Sequence, residues 1–263
     1  MSFPWIRGGA WAGTALLATA LIACDPVGNT ITTSTTPSTA ASAPTTSPAP
    51  STTPAPPDLS TLPAATLLAR AKAAASAAPG LRVKGLLVDG TDDLRLDLQL
   101  TKSGGQGAFL VAGTPITYRV IGKNVYMLMS EATIRAAAKA DKSSEAEIRA
   151  MLSLLKNKWI KPSKIDKDSQ SLIDLTTRDT FFTGFFGEIS HPTKTGKKVV
   201  DGVASVGLTA QGATLWVDAR TARPVRFQND AGRDFLTFTN YGKVAPPKAP
   251  KADQILDGKA FGF

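Results

Sequence analysis

Side chains able to do covalent or acid–base chemistry are few in this chain. It has one cysteine, Cys24, and one histidine, His191, in 263 residues. His191 stands beside Pro192 in a Gly/Thr/Lys-rich loop, with no second imidazole to share a zinc ion or relay a proton, so it reads as a solvated loop residue. Ser153-Leu154-Leu155-Lys156 and Lys194-Thr195-Gly196 have spacings used in serine acyl transfer. That chemistry needs a serine at a helix start and a lysine one turn later to take its proton. Here Ser153 falls late in its helix, and the Ser-Asp-Asn element that completes such sites is missing, so the matches read as coincidence. Asp92-Asp93, Asp166 with Asp168, and Glu145 with Glu147 have turn or cap explanations and lack the spacing of a calcium loop. Phosphate-cradling and dinucleotide-binding glycine loops are absent. The expectation is a protein that is not an enzyme, with no catalytic residue, metal or cofactor.

The thiol reads differently. Leu21-Ile22-Ala23-Cys24 closes an uncharged run from Ala10 to Ala23, behind Arg7 as the one basic residue. The run is short for a bilayer span, which needs about 20 apolar residues, and fits the apolar part of an export signal. The four residues resemble the lipobox of bacterial lipoproteins, in which small residues precede a cysteine that is lipidated and becomes the mature N-terminus. Residues 1–23 are therefore expected to be a signal peptide and Cys24 the lipid-attachment site. With no second cysteine there is no intramolecular disulfide, and the exported chain must rely on an ordinary core.

From Pro26 to Pro57 there is no charge, and Ser, Thr, Pro and Ala dominate. Such a stretch buries too little apolar surface to offset its chain entropy, so residues 24–57 are expected to form a disordered tether. At about 3.1 Å per residue in polyproline geometry it reaches on the order of 100 Å from a membrane. Arg7 and Asp25 are the only charges before Asp58, so the domain at 58–263 carries the whole formal net charge of +9. Outside the cytoplasm that charge points away from nucleic acid and toward anionic head groups, with simple solubility as the equal alternative. Lysines 156, 158, 161, 164 and 167 either form a basic rim or a solvated face.

The elements that must position a site are α+β. A helix is expected from Pro63 to Ala78, with Ser60 or Thr61 as cap and Pro79-Gly80 as its end. Strands follow at Leu81–Val88, Asp93–Thr101, Gly107–Ala112, Ile116–Ile121 and Asn124–Ser130. In the second, Leu94, Leu96, Leu98 and Leu100 alternate with polar residues, a period of two that implies one buried face. Ser130 caps a helix, and Ser144 with Glu147 forms a capping box for another with a stripe of Ile148, Met151, Leu152 and Leu155. A third helix is expected near Ser171–Phe182. Four more strands are expected at Lys198–Thr209, Thr214–Ala219, Pro224–Asn229 and Asp234–Tyr241. The end is expected to be irregular, with Leu256, Phe261 and Phe263 able to pack back. Few helices cover about nine antiparallel strands, so either the sheet curls on itself or apolar surface remains for a ligand.

This layout resembles the actinobacterial LppX/LprG lipoproteins and, more distantly, the LolA-like lipoprotein carriers. The likeness rests on the lipobox, the tether, the initial helix, Gly122-Lys123-Asn124-Val125-Tyr126-Met127, the Lys-Trp159 segment, and Thr214-Leu215-Trp216-Val217-Asp218-Ala219 leading to Pro224-Val225-Arg226. It spans about residues 60–245. The resemblance implies a strongly curved antiparallel β half-barrel with helices on its concave face and an apolar cavity between them. The implied ligand is the acyl part of a lipid or lipoglycan, carried or presented in the envelope by a membrane-anchored, extracytoplasmic monomer. Partners are then the lipid, the membrane and, as a further candidate, an envelope transporter.

Inward positions follow from alternation: Leu94, Leu96, Leu98, Leu110, Tyr118, Val120, Val125, Met127 and Met129. Phe181, Phe182, Phe185 and Phe186 join them, as core or as cavity lining. The alternative function is an interaction or sensor module with the same fold, a filled core and no ligand.

Overall fold

The computed structural model describes residues 58–89, 92–111, 114–165 and 167–261. Cys24, the signal and the tether lie outside them, as do Asp166 and Phe263. The described chain enters through a 3-10 turn, Leu59–Thr61, capped by Asp58. Ser60 and Thr61, expected to cap the first helix, lie in this turn, and Pro63 takes that cap position with no side-chain bond. The Asp58 carboxylate accepts from the Ser60 N–H at 2.9 Å and pairs with Lys197 at 2.8 Å. Both contacts hold its carboxyl well below the usual range, the lysine first. Helix α1 (Ala64–Ala77) begins after Pro63 and buries Leu67, Leu68, Ala71 and Ala75.

A meander follows: β1 (Gly80–Asp89), β2 (Asp92–Thr101), β3 (Gly104–Val111), β4 (Thr114–Ile121) and β5 (Asn124–Met129). Helix α2 (Glu131–Ala140) and helix α3 (Glu145–Leu155) form a hairpin, and β6 (Trp159–Lys161) returns to the sheet beside β5. The expected third helix is two, α4 (Lys167–Thr176) and α5 (Arg178–Gly187). Thr176 turns its hydroxyl back onto the Leu172 carbonyl, and Thr177 is extended and bridges Thr101. A buried Ser or Thr that bonds the preceding turn competes with helix continuation, and here the helix stops.

The expected Lys198–Thr209 run is also two elements, β7 (Thr193–Val200) and β8 (Val203–Ala210). Asp201 and Gly202, both at positive φ, make the tight hairpin between them. Then come β9 (Ala213–Asp218), β10 (Pro224–Asn229), β11 (Phe235–Thr239) and β12 (Ile255–Asp257). The last was expected to be irregular, yet Leu256 lies opposite Ile160 in a parallel pair.

The result is an open, curved sheet of twelve strands in the order β12-β6-β5-β4-β3-β2-β1-β11-β10-β9-β8-β7. It is α+β, and antiparallel except at the β12–β6 edge. The main core joins the inner face of the sheet to α1, α4 and α5, while Ile134, Leu155 and Ile160 centre a small satellite core under the α2–α3 hairpin. Arg178, buried at the start of α5, ties that helix to the end of α1 through the Ala78 carbonyl and pairs with Asp179.

Candidate ligand-binding cleft

The ladder sets which residues share a face. Leu96, Phe109, Ile116 and Met129 form one cross-strand row of β2–β5, and Leu98, Gly107, Tyr118 and Met127 the next. Leu100, Gly105, Val120 and Val125 form a third. Directly opposed residues point to the same side, so Leu96, Leu98, Tyr118, Val120, Val125, Met127 and Met129 lie together as expected, with Leu94 on the same face of β2. Leu110 does not. It opposes Arg95 and Pro115 and so faces the other side of the sheet. The run Ala108-Phe109-Leu110-Val111 is apolar at both parities, and only the hairpin register, which seats Gly105 and Gly107 inward, selects Phe109 as the core residue.

The centre of that face is filled by the protein's own side chains. Phe181, Phe182, Phe185 and Phe186 are all buried. Phe182 lies 5.3 Å from Phe181 and 5.5 Å from Phe186 between ring centroids. Phe185 packs edge-on against Phe227 at 5.4 Å and Phe238 at 5.3 Å. The doublet repeated four residues on is thus the aromatic centre of the core. Further along, α4 contributes Leu172 and Leu175 to the same cluster. Tyr118 stacks on Phe109 at 4.8 Å, and its hydroxyl has no hydrogen-bond partner among the described residues. Burial, and secondarily the Asp97 charge, push its phenol well above the usual value.

Among the described residues, a cleft of about 400 Å³ opens between the ends of β4 and β5 and the α2–α3 hairpin. Its apolar walls are Pro115, Leu128, Met129, Ile134 and Leu152. Thr117, Ser130, Glu131, Lys156 and Asn157 supply the polar part. The volume falls in the lower part of the roughly 300–1,000 Å³ range of small-molecule sites. Of the residues expected to line a cavity, Met129 alone lines this cleft.

Local chemistry sets its walls. Ser130 caps α2, accepting from the Thr133 N–H at 3.1 Å, and the Thr133 hydroxyl donates to the Pro115 carbonyl at 2.8 Å, which moors the helix to β4. The α3 capping box is present: the Ser144 N–H donates to Glu147 at 2.7 Å, and the Glu147 N–H to the Ser144 hydroxyl at 3.3 Å. The Ser144 N–H, and then the Ser144 hydroxyl donating to the same oxygen at 2.8 Å, hold the Glu147 carboxyl below its usual range. At the other end Asn157, at φ 60°, stops the helix in the left-handed region and leaves Lys156 as C-cap. Ile148 and Leu155 of the predicted stripe are buried, whereas Met151 and Leu152 are only half-buried. That difference along one stripe is the mark of the cleft.

Charge at the mouth is uneven. Glu131 is paired to Arg135 at 2.9 Å, while the Lys156 ammonium has no ion-pair partner among the described residues. Of the other lysines, Lys158 donates to the Asp253 carbonyl at 2.7 Å, and Lys161, Lys164 and Lys167 are exposed. Ser153 is exposed on α3, and Lys194, on β7 at the opposite edge of the sheet, donates to the Ser60 carbonyl at 2.9 Å. The residues of the two acyl-transfer motifs are therefore not brought together. His191 is exposed in the loop before β7.

No protein-family profile matches the chain, and no curated protein does. Among solved structures it is similar to LprF from Mycobacterium bovis, at 17% identity and a TM-score of 0.45, covering 72% of this chain and 96% of that one. It is also similar to an uncharacterized conserved protein from Thermus thermophilus, at 14% identity and a TM-score of 0.35, covering 74% and 98%. These likenesses concern the fold alone.

Proposed function

We propose that the protein is a lipid-anchored lipoprotein on the extracytoplasmic face of the cell membrane. It binds the acyl part of an amphiphile and carries or presents it in the envelope, without making or breaking bonds in it. The observation that carries this reading is the cleft, whose apolar walls lie open between the ends of β4 and β5 and a helix hairpin resting on its own small core. Moving a chain from bilayer to cleft exchanges one dry site for another, whereas each methylene left in water costs about 0.8 kcal/mol. Attachment through Cys24 and the Ser/Thr/Pro-rich segment lets the domain stay within reach of the membrane while it works.

The test uses the processed chain with Cys24→Ser, expressed in a lipid-containing host and weighed by native mass spectrometry. A co-purifying lipid that is lost in Leu152→Trp, with thermal stability unchanged, supports the reading. A bare protein mass even after lipid loading overturns it. The filled centre of the half-barrel favours one competing reading, a module that meets a protein partner and holds no ligand. Crosslinking to an envelope protein, unaffected by Leu152→Trp, is its signature.

A further inference from the structure

We infer that the cleft selects an anionic amphiphile, with its chain against Leu128, Met129, Ile134 and Leu152 and its head group on Lys156. The inference rests on the acyl-binding reading and adds the ligand class. Size sets the length of chain that the cleft can cover. A methylene takes up about as much liquid volume as a water molecule, ~30 Å³, so the cleft's 400 Å³ seats on the order of a dozen.

Charge argues for an anion. Glu131 and Lys156 are the two ionised side chains lining the cleft, and Arg135 pairs with Glu131 at 2.9 Å while also facing Glu145 at 3.7 Å. Lys156 is left as the unpaired cation, and a cation at the C-terminal end of α3 is also where the helix dipole favours one. Thr117 and Asn157 add neutral hydrogen-bonding groups to the same wall. A cationic head group would meet Lys156 with like charge, and a neutral one would gain no ion pair from it.

Isothermal titration of the processed chain with Cys24→Ser tests this, using dodecanoate, dodecyltrimethylammonium and dodecyl maltoside below their micelle concentrations. The expected result is one site that binds dodecanoate most tightly. Lys156→Gln should weaken dodecanoate by about fivefold, the upper range for a solvent-exposed ion pair, and leave dodecyl maltoside unchanged. Equal affinity for the three amphiphiles, or a Lys156→Gln variant indistinguishable from the parent toward dodecanoate, overturns the selection while the acyl-binding reading stands. Failure of all three to bind the parent overturns both.

Discussion

The backbone of Gly105 in β3 meets the carbonyl of Thr176 at the end of α4 so closely that a Cβ at Gly105 would fall inside contact distance of that oxygen. The same Cβ would lie 2.8 Å from the Gln99 carbonyl oxygen. This close approach seats α4 on the inner face of the sheet and closes the centre of the half-barrel. Gly105→Ala is therefore expected to destabilise the protein by roughly 1–3 kcal/mol, as overpacking does. In urea unfolding the midpoint should fall with little change in slope. Gly187→Ala, where an added Cβ meets nothing, is the control and should be near neutral. Equal effects at the two sites would mean that α4 is not clamped there.

Phe185 distinguishes a core aromatic from a cavity lining. Its ring is buried and touches rings from α5, β10 and β11. Phe185→Ala should cost about 3–5 kcal/mol, the usual range for removing a packed aromatic. A loss below about 1 kcal/mol, measured by the same unfolding experiment, would show that the ring borders open space.

How much of this was legible in sequence depends on where each signal lives. The alternation of Leu94, Leu96, Leu98 and Leu100 and the Ser144–Glu147 box are local, and the structure has both. The break at Thr176-Thr177 was hidden, because it depends on a bridge to Thr101 and on the proximity of Gly105. Three-residue strands such as β6 and β12 carry too little periodicity to be seen, and their pairing joins segments nearly a hundred residues apart. Leu110 failed for a register reason, since period two cannot assign a face to a run that is apolar throughout. The cleft was missed except for Met129 because its walls come from four elements. The half-burial of Leu152 beside buried Leu155 is a tertiary fact.

Asp97 links stability to pH. It accepts two bonds from Arg82, both at 2.6 Å, and a contact from Lys84 at 3.2 Å. Partial burial raises its carboxyl, but these two cations outweigh burial and hold it below the ordinary value. A lowered folded-state pKa contributes stability that is present above the unfolded value, near ~3.9, and is lost as pH falls through the folded value. The carboxylate is more than a third exposed, so the contribution should be about 1 kcal/mol or less. Relative to the parent, Asp97→Asn should be less stable at pH 7, and the gap should close below about pH 3.9. A gap independent of pH would assign the loss to packing instead of charge.

Tyr118 offers a test with the opposite sign. Its ring is fully buried and stacked on Phe109, so the ring contributes packing, but the hydroxyl has lost water and has no partner among the described residues. A buried polar group without a bond costs about 1–3 kcal/mol of desolvation, and replacing it with an apolar group of the same shape can return part of that. Tyr118→Phe is therefore expected to be neutral or to stabilise the protein by up to about 1 kcal/mol, whereas Tyr118→Ala, which also removes the ring, should destabilise it strongly. Thermal and urea unfolding of both variants read the two parts separately. If Tyr118→Phe proved clearly destabilising, the hydroxyl would have to be making a bond within the folded protein, and the inner face of β4 would be more polar than its neighbours imply.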